Sequence, residues 1–159
     1  ESDPSNLQEQ LQEFLDDFLG IQEKHYLQLR NAISDIEGVR FRRVPRGGIE
    51  NYSFLNFFLP DETAARNASQ ALAEAGFDGV FYWYDNNWHY YRKWHHLKTM
   101  SRTAKLAAEL CDNLPDYSKL ELKESDKIMS RTLSMQIMLS WTPEEVENRI
   151  QAIMKAFKE

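Results

Sequence analysis

Aromatic and polar side chains alternate through one short segment near the middle of the chain. Residues 81–96 run FYWYDNNWHYYRKWHH. Aromatic faces stack on the C–H face of a sugar ring, while amide and imidazole edges form hydrogen bonds with its hydroxyl groups. The segment therefore indicates a carbohydrate-like ligand. Two alternatives stay open: the rings could fill a core or a subunit interface, and Asn86-Asn87 could form a turn.

The sequence gives little support for a metal site or for the common catalytic and nucleotide-binding motifs. Three of the four histidines lie in the same segment, but His95 and His96 are adjacent, and His89 is seven positions from His96, about 10 Å along a helix. This spacing is wrong for one metal ion, and the sequence has no His-Glu-x-x-His motif or paired cysteines. It also lacks the Gly-x-Ser-x-Gly, Walker and Gly-x-Gly-x-x-Gly motifs. We expect neither a metal site nor a catalytic residue in this chain.

Composition and charge narrow the class of protein. The chain has 159 residues, of which 42% are hydrophobic and 13% aromatic, enough to bury the core of one compact domain. Its 25 acidic and 19 basic residues give a net charge of -6, which argues against nucleic acid as a partner. The four arginines between residues 40 and 46 are expected to form a solvated face. No apolar run approaches the ~20 residues that would span a membrane.

The number of cysteines indicates a cellular compartment, and the first residues indicate whether the chain is part of a longer protein. The single cysteine, Cys111, excludes an internal disulfide and fits a reducing, cytoplasmic compartment. Cys111 falls in a helical apolar pattern and is expected to lie in a core. The chain opens Glu-Ser-Asp-Pro-Ser, with neither a start methionine nor a signal peptide. This opening predicts a piece of a longer protein.

A long amphipathic helix is predicted at the start of the chain. Apolar residues recur every three or four positions over residues 7–36, Ser5 or Asn6 can cap the helix, and Gly38 ends it. His25 lies in the apolar stripe and is expected to be a packing residue. A helix of roughly 30 residues is long for a small domain. We therefore expect it to pack on something larger than this chain.

The remaining sequence predicts an α+β fold. Short apolar runs bounded by Pro and Gly predict strands over residues 39–44, 52–59, 80–84 and 132–139. Helices are predicted over 62–75, 101–113 and 125–131. Thr142-Pro143-Glu144-Glu145 forms a capping box that begins a closing helix. This order indicates a three- to four-stranded, mainly antiparallel sheet covered by helices.

The order of these segments resembles the C-terminal third of the DegT/DnrJ/EryC1/StrS sugar aminotransferases. The resemblance covers essentially the whole chain and rests on the pieces in this order rather than on any one of them. They are the long helix, Ile36-Glu-Gly-Val39, Arg43-Val-Pro45, NYSFLNFFLP at residues 51–60, the helix that ends at Gly76, the aromatic segment, IMSRTLS at residues 128–134, and LSWTPEEVE at residues 139–147.

The resemblance implies the fold and the reaction of a parent enzyme. Residues 1–38 would be a linking helix, and residues 39–159 the small C-terminal domain of a fold-type I aminotransferase. The cofactor would be pyridoxal 5'-phosphate, bound by a large domain absent from this chain, together with the lysine that forms the Schiff base. The parent would be a homodimer that moves an amino group from glutamate to a keto or aldehyde sugar. The isolated chain would be inactive.

The aromatic segment carries a closer likeness within this family. Residues 80–93 look most like transaminases that make 8-amino-3,8-dideoxy-manno-octulosonate, a lipopolysaccharide sugar, from the 8-oxo sugar. Many family members have a His-Tyr/Phe-x-x-x-His loop here, whereas this chain has Phe81-Tyr82 and Asn86-Asn87. The implied site has two sets of residues. Trp83, Tyr84 and Trp88 would be stacking surfaces, and Asn86, Asn87 and His89 would contact hydroxyl or carboxylate groups. The alternative is a free-standing, non-catalytic module that binds a sugar or a protein.

Overall fold

A computed structural model describes residues 4–99 and 117–157 of the chain. The helix predicted over residues 101–113, which contains Cys111, lies outside these residues. The first helix, α1, spans Pro4–Ser34. It begins earlier than expected, because Pro4 occupies its first position, where a missing N–H costs nothing. Ser5 and Asn6 therefore lie inside the first turn, and the prediction that one of them caps the helix is wrong.

The two halves of α1 have different surroundings. Tyr26, Leu29 and Ile33 in its second half are buried in the core. His25 is 7% exposed, and its Nδ1 lies 3.1 Å from the Met138 carbonyl oxygen, which confirms a satisfied packing histidine. The large apolar side chains of the first half are exposed, with Phe14 at 60%. The first half therefore extends an apolar stripe beyond the core of this chain.

Four strands form an antiparallel sheet in the order β1-β2-β4-β3. They are β1 (Arg40–Phe41), β2 (Phe54–Phe58), β3 (Val80–Phe81) and β4 (Thr132–Gln136). The predicted strands exist, but they are shorter than expected. After β3 the chain leaves the sheet in a 3-10 turn, Trp83–Asp85, and Tyr82 packs toward Ser130 instead of continuing the ladder.

The two faces of the sheet differ in what covers them. Leu55 and Phe57 on β2 and Leu133 and Met135 on β4 are fully buried against the helices. Because side chains alternate along a strand, the opposite face carries the residues between them. These are Phe54, Asn56 and Phe58 on β2, Ser134 on β4 and Phe81 on β3. This second face is the one that meets the aromatic segment.

Four more helices lie in the described part of the chain: α2 (Glu62–Glu74), the short α3 (His95–Lys98), α4 (Lys123–Met129) and α5 (Pro143–Phe157). Of these, α2 and α5 contribute buried residues to the core. Asp61 caps α2 by accepting a hydrogen bond from the Ala64 N–H at 2.8 Å. The predicted capping box of α5 is confirmed: the Thr142 N–H donates to Glu145 at 2.7 Å, and the Glu145 N–H donates to Thr142 Oγ1 at 3.2 Å. Among the described residues, no helix combines the length and apolarity that crossing a membrane requires.

Candidate functional site

Three aromatic rings form a continuous surface on the second face of the sheet. Phe81 and Trp83 are stacked, with ring centroids 4.6 Å apart and planes 4° from parallel. Phe54 on β2 meets both rings edge-on, at 6.1 Å from Phe81 and 6.4 Å from Trp83. We refer to Phe54, Phe81 and Trp83 as the aromatic platform. Offset and edge contacts of this kind fix the rings in place, so the platform is a preformed apolar surface.

The segment that follows β3, residues 82–94, is called the aromatic loop here and includes Trp83 of the platform. Asn86 closes a turn within it. The Asn86 side-chain oxygen accepts hydrogen bonds from the Trp88 N–H at 2.8 Å and the His89 N–H at 3.1 Å. It also lies 3.0 Å from Nδ1 of His89. The turn that the sequence left as an alternative for Asn86 is therefore formed. Asn86 supports the loop from within.

Three of the predicted site residues lie at the surface of the loop. Asn87 and His89 are exposed, and Trp88 is 81% exposed. The His89 ring contacts the Trp83 ring at 4.6 Å between centroids. An imidazole edge therefore stands beside the aromatic platform, which is the combination of an apolar face and a polar edge that a sugar ring requires.

Tyr84, predicted as a stacking surface, faces inward. It is 5% exposed and forms a small second core with Tyr90 and Tyr91. The Arg92 guanidinium lies 4.6 Å from the Tyr84 ring centroid and donates a hydrogen bond to its hydroxyl. Tyr84 therefore supports the loop from below, while Trp83 presents its ring on the platform.

One carboxylate, Asp126 on α4, holds this second core. It accepts hydrogen bonds from the Tyr90 hydroxyl at 2.7 Å and the Tyr91 hydroxyl at 2.9 Å, and it forms an ion pair with Arg92 at 3.6 Å. Burial and the neighbouring carboxylate both raise the pKa of Tyr90. The Tyr90 hydroxyl therefore stays protonated and serves as a donor.

A second anchor, Arg66 on α2, holds the start of the loop. Its guanidinium pairs with Asp85 at 2.5 Å and Glu62 at 2.8 Å, and it lies 4.9 Å from the Tyr82 ring centroid. Burial raises the pKa of Tyr82 to about 12, and its hydroxyl donates to the Ser130 carbonyl oxygen at 2.6 Å. Hydrogen bonding to Arg66 lowers the pKa of Asp85.

Sequence analysis missed Arg66, Asp126 and the contribution of Phe54. Arg66 is 19 residues from Asp85, and Asp126 is 36 residues from Tyr90. No local pattern marks such pairs. An aspartate in a helix is common, so the sequence does not single out Asp126. Its role becomes visible only from its contacts with Tyr90 and Tyr91 in the fold.

The described residues offer no place for the implied cofactor or for a metal ion. Within residues 4–99 and 117–157, no group of three His, Cys, Asp or Glu side chains could hold a metal. Pyridoxal phosphate needs a lysine in an enclosed site. Every lysine in the described part of the chain is exposed or half-exposed, and the platform and the surface of the loop beside it are formed by Phe, Trp, Asn and His. These residues do not fit the cofactor.

Comparison with known proteins finds a solved structure with a similar fold. No family model matches the sequence. The structure is similar to the crystal structure of 3-amino-5-hydroxybenzoic acid synthase, with a TM-score of 0.52 and 16% sequence identity. The match covers 89% of this chain and 35% of the synthase chain, so the chain spans about a third of that protein. The expected α+β fold is confirmed, with a long first helix and a four-stranded antiparallel sheet, and it is similar to the fold of part of that synthase.

Proposed function

We propose that this chain is the C-terminal small domain of a pyridoxal-phosphate-dependent sugar aminotransferase of the DegT/DnrJ/EryC1/StrS type. The observation that carries the proposal is the fold likeness over 89% of the chain to a synthase whose product bears an amino group on a hydroxylated ring. The order of sequence segments supports it independently. The division into a linking helix, residues 1–38, and a small domain, residues 39–159, belongs to the same proposal.

In this proposal the aromatic platform and the aromatic loop form one wall of the sugar site. The half-buried Trp83 ring contacts the sugar with the part that Phe81 and His89 leave uncovered. His89 beside it and the exposed Asn87 of the same loop are the hydrogen-bonding groups. Trp88, which is 81% exposed, adds an apolar surface at the rim of the site. Asn86 and Tyr84 keep this surface in place. The chain therefore binds and orients the acceptor sugar.

The rest of the reaction lies with the large domain. When bound there, pyridoxal phosphate supplies the chemistry that carries the amino group from glutamate to the sugar carbonyl. The acceptor we favour is 8-oxo-3,8-dideoxy-octulosonate, as the likeness of residues 80–93 suggests, in lipopolysaccharide sugar biosynthesis. We also propose that the parent enzyme is a homodimer and that it is cytoplasmic.

The test uses the longest reading frame that contains this sequence. If the proposal is correct, the purified product has a pyridoxal absorbance band, and borohydride traps the cofactor on a lysine upstream of residue 1. A reading frame that begins immediately before Glu1, or a product with neither the band nor the lysine adduct, contradicts the proposal.

A free-standing binding module is the second candidate, and one observation favours it. The aromatic loop is held by contacts within this chain, since Asp126 and Arg66 anchor it at both ends. A binding surface of this kind needs no second domain to form. The reading-frame experiment separates the two functions, because the module requires neither a cofactor nor an upstream lysine.

A further inference from the structure

Arg131 is a half-buried cation without an anionic partner. It lies in the turn between α4 and β4, and its Nε atom is buried with no hydrogen-bond partner. Within residues 4–99 and 117–157, its terminal nitrogens form no hydrogen bond and no ion pair. An arginine side chain stays charged, and burial of an unpaired charge is unfavourable. An anion bound at the guanidinium would offset this cost.

Arg131 contacts the face of the sheet that carries the aromatic platform. Its guanidinium carbon lies 5.7 Å from the centroid of the Phe58 ring. Phe58 is on the second face of β2, four residues after Phe54 of the platform, or about 13 Å along the strand. The ring attracts the cation but supplies no oxygen acceptor, so the N–H groups of Arg131 can still donate to a ligand.

A second unpaired arginine lies on the other side of Phe58. Arg40 on β1 is directly opposite Phe58 in the ladder, and side chains in such a pair lie on the same face. Arg40 is exposed and has no ion-pair partner in the described part of the chain. Because β2 lies between β1 and β4, the two arginines flank Phe58. Their charge favours an anionic ligand at this ring.

Asn56 lies between Phe54 and Phe58 on the same face of β2. Its side-chain oxygen accepts a hydrogen bond from the Ser134 hydroxyl at 2.5 Å, and its amide nitrogen donates to none of the described residues. The second face therefore offers, in order along β2, an aromatic surface, an amide donor and a guanidinium.

We propose that Arg131 binds the carboxylate of a sugar acid whose ring lies on the aromatic platform. A guanidinium holds a carboxylate through two parallel hydrogen bonds, and Arg40 adds positive charge beside it. The inference rests on the proposed function for the ligand being a sugar, and it makes a carboxylate part of what the site recognises.

The chemistry of the favoured acceptor fits this placement. In 8-oxo-3,8-dideoxy-octulosonate the carboxylate and the reacting carbonyl are at opposite ends of the carbon chain. Binding of the carboxylate by Arg131 therefore leaves the carbonyl free to reach the cofactor. Glutamate also carries carboxylates, but the row of groups that leads from the platform to Arg131 favours the sugar.

The experiment measures binding by calorimetry on the product of the longest reading frame that contains this sequence. The ligands are 3-deoxy-octulosonate and its methyl ester, which has the same ring and hydroxyl groups but no charge. No amino donor is present, so binding is measured without turnover. We expect octulosonate to bind more tightly than the ester.

Three variants test the residue. Arg131→Gln is expected to weaken octulosonate binding at least about tenfold, because a charge-assisted pair is lost, and to change ester binding less than about twofold. Arg131→Lys keeps the charge without the paired geometry and is expected to lose less affinity. Arg46→Gln, the control, removes the same charge from an exposed position between β1 and β2 and leaves both affinities unchanged.

Several results would overturn the inference. They are equal affinity for octulosonate and its ester, binding of neither, equal weakening of both ligands in Arg131→Gln, and an unchanged octulosonate affinity in that variant. An unchanged affinity with a lower melting temperature would assign Arg131 to a carboxylate within the protein. An unchanged affinity with a slower glutamate half-reaction would assign it to the amino donor.

The pyridoxal absorbance band of the same preparation tests the proposed function separately. A protein that has the band but no preference for the carboxylate overturns this inference alone. A protein without the band that prefers octulosonate through Arg131 contradicts the aminotransferase proposal and leaves the carboxylate site established.

Discussion

Asp126 organises the underside of the aromatic loop through two tyrosine hydroxyls. Tyr90 and Tyr91 are both buried, and their hydroxyls donate to opposite oxygens of the carboxylate. A buried hydroxyl without an acceptor loses its hydration and gains nothing in return. The residue therefore matters more through the groups it satisfies than through its exposed ion pair with Arg92.

Replacing Asp126 by Ala is expected to lower the free energy of unfolding by about 2 kcal/mol, because two buried donors lose their acceptor. Urea unfolding of the chain measures this loss. In a Tyr90→Phe, Tyr91→Phe background the same replacement is expected to cost less than half as much, since the donors are already gone. A cost of the same size in both backgrounds would show that the hydroxyls are not what Asp126 stabilises.

The Asp85–Arg66 pair makes part of the stability depend on pH. Hydrogen bonding to Arg66 holds the pKa of Asp85 below its ordinary value of 3.8 in the folded chain. The unfolded chain therefore binds the proton first, and the stabilisation, complete above about pH 5, is lost as the pH falls toward the folded pKa. We expect Asp85→Asn to lose less stability than the unmodified chain between pH 5 and pH 3, measured by urea unfolding.

Asp17→Asn is the matched control for this pH dependence, because it removes the same charge from exposed α1. It is expected to keep the acid dependence of the unmodified chain. An Asp85→Asn variant with an unchanged pH profile would mean that solvent screens the pair completely, as happens for many exposed ion pairs.

For single residues, the sequence could predict which residue types occur in the candidate site. It could not predict which of them face outward and which support the loop. Interleaved aromatic and amide side chains mark the segment that forms the aromatic loop, and its role in binding a sugar stays a prediction. The turn at Asn86 depends on its own bonds to the Trp88 and His89 N–H groups, two and three residues away. Whether Tyr84 faced outward depended instead on the second core, whose tyrosines Asp126 holds. These contacts join residues far apart in the chain, so no local rule reaches them.

The elements were predicted best where a local chemical signal marks their ends. Asp61 before α2 and the capping box before α5 act within three residues, and both were recognised. The strands were predicted too long, because a strand ends where the chain leaves the ladder, and an apolar run does not mark that point. β3 stops at Phe81 once the chain turns toward α4, and apolar residues such as Trp83 continue without a ladder.

Gly38 tests the connection between α1 and β1. It has a φ of +80°, and a Cβ added there would lie 2.7 Å from Cγ of Pro60. Gly38→Ala is therefore expected to cost about 2 kcal/mol of unfolding free energy, from left-handed strain together with the close contact. Thermal or urea unfolding measures the change.

At Gly20, by contrast, replacement by alanine is expected to stabilise the chain. It lies within α1 with nothing within 4 Å of an added Cβ. Gly20→Ala is expected to stabilise the chain by about 0.5–1 kcal/mol, because alanine favours the helix more than glycine does. Similar effects at the two positions would mean that the turn at Gly38 is not as tight as the structure describes.

For the molecule as a whole, the exposed half of α1 is the feature that a single compact domain does not explain. Its large apolar side chains are 43–60% exposed over residues 7–21, and a stripe of this kind marks an interaction surface. The periodicity predicted the helix and its need for a larger partner. That the helix packs on a larger partner stays a prediction. The sequence had no way to show which face of the sheet the aromatic loop would meet.

The central claim is that this chain forms the sugar-facing wall of an aminotransferase, and separate half-reactions test it most directly. In the protein that joins this chain to its cofactor domain, Trp83→Ala and Asn87→Ala are expected to slow amino transfer to the sugar at least about tenfold, and to change the glutamate half-reaction less than about twofold. Asn31→Ala, on exposed α1, is the control and is expected to change neither. Equal losses in both half-reactions, or no loss in the sugar half-reaction, would contradict the account.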